Sequence, residues 1–172
     1  MSTDHDIKAA TMRVEDKIRR RPSIGRLTKS CTARVSDGLT CSIQDQGWTL
    51  MADMKRNLGG NDAAPDPSVY GRAAISSCLA IGYAHWFARL DVPLNSVEVA
   101  LETDFDYGAV LGISEASPAY TGIRYSVHVD SPASESDVIR ALDTADAHSP
   151  WLANMRSEVA VERVVQQTTL AA

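Results

Sequence analysis

The chain has 172 residues, 44% of them hydrophobic, and a formal net charge of -5. That length suits one compact domain that can build a core without disulfide staples. No run reaches the ~20 apolar residues that span a bilayer, the charged first thirty residues lack the apolar centre of a secretory signal, and the odd set Cys31, Cys41 and Cys78 points to a reducing, cytoplasmic setting.

Charge is unevenly placed. Residues 8 to 29 carry Lys8, Arg13, Lys17, Arg19, Arg20, Arg21, Arg26 and Lys29 against Glu15 and Asp16. Clustered cations suit phosphate contacts. Yet no aromatic residue interleaves with them and no nucleic-acid signature follows, so a nucleic-acid partner is disfavoured. A solvated helix face, or a basic patch that meets acidic surface of the same chain or of a second copy, accounts for them.

The first element is an amphipathic helix over 4–20, with Ile7, Ala10, Thr11, Val14 and Ile18 at 3.6 spacing, Thr3 with Asp6 as a capping pair, and Pro22 beyond its end. Such a stripe needs a partner surface on its own domain or on another subunit. Three antiparallel strands follow: Leu27–Val35, Leu39–Gln44 and Trp48–Asp53, turning at Ser36-Asp37-Gly38 and Gln46-Gly47. Residues 58–67 hold two glycines and two prolines and form a loop. Ser68–Leu90 reads as a long helix so rich in Gly, Ala, Ser and Cys that close packing on all sides is expected. Ser96–Asp104 and Thr121–Asp130 alternate as strands, with Val97, Val99, Leu101, Ile123, Tyr125, Val127 and Val129 inward. A helix over Glu135–His148 is capped by Ser134 with Asp137 and stopped by Pro150. Met155–Val165 is expected to be a last strand, with Val159, Val161 and Val165 on one face, and the end beyond it frayed. Hairpins, rather than regular βαβ units, make the class α+β.

No phosphate-binding glycine loop, dinucleotide fingerprint or nucleophile elbow is present. His5, His85, His128 and His148 are scattered, so no metal site or cofactor is expected. A three-residue hairpin loop would set Cys31 diagonal to Cys41, with Cβ atoms roughly 7 Å apart. A two-residue loop would turn the two cysteines to opposite faces. Either register disfavours a disulfide, and both read as packing residues. Cys78 stands about three turns into the small-residue helix. It is either a buried structural thiol or a reactive one that needs an arginine brought in by the fold.

The run Gly59-Gly60-Asn61-Asp62-Ala63-Ala64-Pro65-Asp66-Pro67, followed after ten residues by Cys78, resembles the OsmC/Ohr family of osmotically inducible and organic-hydroperoxide-resistance proteins. Val92–Val99 resembles the family's strand after the central helix, Ile123–Ser134 the strand and cap before the second helix, and His148-Ser149-Pro150 its HCP-type helix end. The resemblance covers roughly residues 28 to 165, giving an N-terminal helical extension over 1–26 and an OsmC-like domain over 27–172.

The resemblance implies an intertwined homodimer, sheets wrapped around two central helices, a site at each subunit interface, and reduction of organic hydroperoxides by a thiol. In that chemistry a peroxidatic cysteine becomes a sulfenic acid and a second cysteine condenses with it. An arginine, held by a glutamate, lowers the first thiol's pKa. Position by position, Cys78 matches the peroxidatic cysteine. Ser149 stands at the second-cysteine position and Ser68 at the glutamate position, with Asp66 two residues away as a substitute. Arg34, Arg26 and Arg124 are candidates for the arginine, Arg34 foremost. Two readings stay open. One is a one-cysteine hydroperoxide reductase recycled by an external thiol. The other is a non-catalytic protein that binds a small hydrophobic ligand at the dimer interface.

Overall fold

A computed structural model of the chain describes residues 4–167. Its elements are α1 (Asp4–Arg20), β1 (Cys31–Asp37), β2 (Thr40–Asp45), β3 (Trp48–Ala52), α2 (Pro67–Arg89), β4 (Ser96–Phe105), α3 (Tyr107–Val110), β5 (Tyr120–Asp130), α4 (Glu135–Ala147) and α5 (Pro150–Arg156). The strands form two antiparallel sheets, β1-β2-β3 and β4-β5. The class is α+β, as the pattern of elements predicts. Thr3, expected to cap α1, lies outside the described residues.

The core forms where α2 meets β4, β5, α4 and α5. Ile75, Leu79 and Tyr83 recur along one face of α2 and pack with Ala145 and Leu152, under Val97, Val99, Leu101, Tyr125 and Val127 from the two long strands. The alternation read from the sequence thus selects the inward face. Phe87, Val92 and Ala141 continue the core toward the end of α2. A polar clamp closes it: Tyr83 and Tyr125 both donate to the Asp146 carboxylate, at 2.7 and 2.9 Å. Burial first, then the hydrogen bond to Asp146, push the Tyr83 phenol well above its usual range.

Three expectations are corrected. First, α2 is not packed on all sides within one chain. Ile81 is 70% exposed, and a Cβ on Gly82 would meet nothing. Second, 155–165 is not a strand of this chain. Pro150 begins α5 instead of merely stopping α4, because Ser149 caps the new helix by accepting from the Leu152 N–H. Beyond Arg156 the described residues carry no assigned secondary structure. Third, neither hairpin register considered for the cysteines occurs. Val35 pairs with Cys41 and Cys31 with Asp45, because a bulge between Val35 and Asp37 shifts the ladder. All three cysteines are free, and Cys31 is exposed, so it is not a packing residue of this chain.

Candidate functional site

The glycine loop is built around a buried carboxylate that the sequence reading took for the last residue of a strand. Asp53, 1% exposed, accepts from the backbone N–H groups of Met54, Asn61 and Ala63 and from the Thr40 hydroxyl. Burial pushes its pKa up, but these four hydrogen bonds together outweigh that and hold it below the ordinary value. The glycines follow from the same wrap. Gly59 has φ 86°, and a Cβ on Gly60 would lie 1.9 Å from the Met54 carbonyl oxygen.

The loop delivers Asp66 as N-cap of α2, accepting from the Ser68 N–H at 2.9 Å, with Pro67 at the first helical position. The Ser68 hydroxyl also donates to Asp66 and accepts from Arg72 Nη1 at 3.0 Å. At the position that the resemblance assigns to a glutamate, a serine therefore still engages an arginine, one supplied by the same helix. Arg72 was missed in the sequence. Its spacing of four from Ser68 was the available signal. The Ser68 hydrogen bonds, ahead of its burial, hold the Asp66 carboxyl below its usual range. Asp66 and Ser68 border a cleft of about 1090 Å³ together with Phe105, Tyr107 and Tyr120.

Cys78 opens elsewhere. Ten residues along α2 from Ser68 is about 15 Å of helix axis. Cys78 borders a groove of about 340 Å³ together with Ile81, His85, Trp86, His148 and Ser149. The structure thus brings Cys78 and Ser149 together and leaves Asp66 and Ser68 at another cleft. Arg34 lies on β1, opposite Ser42 in the separate sheet. Arg124 is held by Glu102 and Asp104 on the exposed face of β4-β5. Neither these arginines nor Arg26 borders the groove. Ser149, 8% exposed, spends its hydroxyl oxygen on the α5 cap.

The C-terminal half of α2 also receives α1. Lys8 pairs with Asp91, Glu15 with Arg89, and Thr11 Oγ1 lies 3.2 Å from His85 Nε2. The half-buried stripe therefore runs through Ile7, Lys8, Thr11 and Glu15 and leaves out Val14, which is 54% exposed. Ion pairs, invisible to apolar periodicity, rotate the helix. Among the described residues no group of three or more His, Cys, Asp or Glu is placed to hold a metal ion. No described helix is long and apolar enough to cross a membrane.

Two antiparallel sheets, a long helix that carries a free cysteine, and a serine that caps α5 beside the same groove make up an α+β protein built on a GG-loop helix. A family model for OsmC-like proteins matches residues 59–163, and the chain belongs to that family. Its fold is similar to an OsmC-like protein from Mycoplasma pneumoniae, with TM-score 0.64 and 11% identity over 76% of this chain and 88% of that one. An organic hydroperoxide resistance protein OsmC from Legionella pneumophila gives TM-score 0.58 and 18% identity over 76% and 90%. An organic hydroperoxide resistance protein from Elizabethkingia anophelis gives 0.53 and 14% over 76% and 89%. At these identities the likeness is one of fold. Among curated proteins nothing matches.

Proposed function

We propose that the chain is a one-cysteine, thiol-dependent organic hydroperoxide reductase that works as a homodimer in the cytoplasm. The observation that carries this reading is the free thiol of Cys78 on an apolar groove, with Ser149 where the resemblance sets the second cysteine. The Cys78 thiolate attacks the terminal oxygen of the hydroperoxide. An S–O bond forms, the O–O bond breaks, and the departing alkoxide takes a proton from solvent to become the alcohol. An external thiol then condenses with the sulfenic acid, releasing water. A second thiol molecule reduces the mixed disulfide and restores Cys78. Ser149 cannot take the resolving role, so over-oxidation to the sulfinic acid competes when thiol is scarce.

The dimer is supported by surface. Large apolar side chains stand open on the chain, Trp48, Ile81 and Val161 among them, exposed 73%, 70% and 90%. A dimer also supports an interface site. Ser68 and Cys78 of one chain sit too far apart along α2 to meet, so residues at the start of one α2 reach a thiol only if it belongs to a second copy. The division into an N-terminal extension over 1–26 and an OsmC-like domain over 27–172 belongs to the same reading.

The second reading, a non-catalytic protein that binds a small hydrophobic ligand, is favoured by the absence of an arginine beside Cys78 among the described residues. Single-turnover reaction with cumene hydroperoxide separates the two. A thiol lost much faster than free cysteine supports the reductase. Loss no faster than free cysteine leaves the binding protein.

A further inference from the structure

The N-terminal helix lies outside the segment matched to the family, yet it bears on the Cys78 groove. The Thr11 hydroxyl has one hydrogen, and it donates to the Ile7 carbonyl at 2.9 Å. In the 3.2 Å contact with His85 the Thr11 oxygen can therefore only accept. His85 Nε2 must carry the hydrogen, and in the neutral ring Nδ1 is left as an acceptor. Burial first, and then the Arg89 charge against an opposing effect of Glu15, hold the His85 pKa below that of an ordinary imidazole.

The same argument applies across the groove. His148 Nδ1 lies 2.8 Å from the Thr144 carbonyl oxygen, which cannot donate, so Nδ1 carries the hydrogen and Nε2 is the acceptor. Trp86 lines the same groove. Its ring is 4.6 Å from His148 and 4.0 Å beneath the Arg89 guanidinium, which pairs with Glu15 of α1.

We propose that the groove reads its ligand through two imidazole acceptors, His85 Nδ1 and His148 Nε2, and that Thr11 is the positioning residue that sets the first of them. The ligand class is then a small, neutral, mostly apolar molecule with an O–H donor. An alkyl hydroperoxide and its alcohol product both qualify; a carboxylate or other anion, which brings no donor, does not. This inference rests on the reading that the Cys78 groove is the site, but it does not require that Cys78 react with peroxide.

The test uses the full chain with Cys31→Ser and Cys41→Ser, so that Cys78 is the sole thiol. Imidazole ¹⁵N NMR, assigned through His85→Gln and His148→Gln, reads the tautomers. Rates of Cys78 modification are compared for 2-hydroxyethyl and n-propyl methanethiosulfonate, which differ by a hydroxyl in place of a methyl. Near neutral pH, His85 is expected protonated on Nε2 and His148 on Nδ1. The hydroxyethyl-to-propyl ratio is expected to exceed that of free cysteine by about threefold or more, the worth of one hydrogen bond. Thr11→Val should release the His85 tautomer and lower the ratio, while Arg13→Ala, on the exposed face of α1, should leave both. The opposite tautomers, a ratio equal to that of free cysteine, or an equal effect of Arg13→Ala would overturn the proposal. A sound tautomer and ratio result beside a peroxide-inert Cys78 would instead remove the reductase reading alone.

Discussion

The two sheets of this chain are made of similar alternating strands and end in opposite situations. Val97, Val99 and Leu101 of β4, with Tyr125 and Val127 of β5, close over Ile75, Leu79 and Tyr83 of α2. In β1-β2-β3, Val35, Trp48 and Leu50 stay 54%, 73% and 41% exposed. That sheet is tied to the rest near the start of α2, through Asp53 N–H to the Pro65 carbonyl and the Tyr70 hydroxyl to the Met51 carbonyl. One sheet finds its floor within the chain. The other has the composition of a covered sheet with no floor of its own, which suits a chain that completes its core with a second copy.

The contrast can be broken most strongly from the closed side. Phe87→Ala empties a fully buried site between Val92 and Ala141 and is expected to cost about 3–5 kcal/mol, read from the urea midpoint. Tyr83→Phe leaves the Asp146 carboxylate with one phenol donor and should cost about 1.5–3 kcal/mol in the same assay.

From the open side, Val35→Asp combined with Leu50→Asp should barely change the packing within one chain, yet light scattering should show the proposed dimer reduced to monomers. A dimer that survives both charges would place its interface away from this sheet. The smallest effect concerns the buried carboxylate where the two regions join. Asp53 has a lowered folded pKa, so its contribution is fully present above the unfolded value of about 3.9 and is lost as pH falls through the folded one. Thermal midpoints should drop on acidification through that window, and Asp53→Asn should flatten that part of the profile while lowering the midpoint at neutral pH.

Much of this was legible in the sequence because the driving patterns are local. Alternation in 96–104 and 121–130 selects an inward face, Ser134 marks a helix start, and the GG run with Cys78 carries the family, whereas Asp66 and Pro67, read as loop, prove to be the cap and first residue of α2. The rest depends on what lies beyond local pattern. Asp53 looks like a strand residue because its four donors come from a loop up to ten residues away and from a neighbouring strand. The orientation of α1 is set by Lys8–Asp91 and Glu15–Arg89, contacts that apolar spacing does not encode. The segment after Arg156 has strand composition, but composition does not supply a neighbouring strand.

Carrying the site over residue by residue met the same limit. Cys78 and Ser149 share a groove because both lie on elements of one core. Ser68 borders another cleft at the start of α2, and Arg34 lies on the separate sheet. Arg72, rather than a strand arginine, engages Ser68.

The central claim is that Cys78 is a reactive thiol, and intact-protein mass spectrometry tests it most directly. Reduced protein is mixed with one equivalent of cumene hydroperoxide, quenched within seconds and mapped by peptide. Addition of one oxygen atom to Cys78, ahead of the more exposed Cys31 and faster than for free cysteine, is the predicted result. Oxidation spread equally over Cys31, Cys41 and Cys78 at the rate of free cysteine would contradict it.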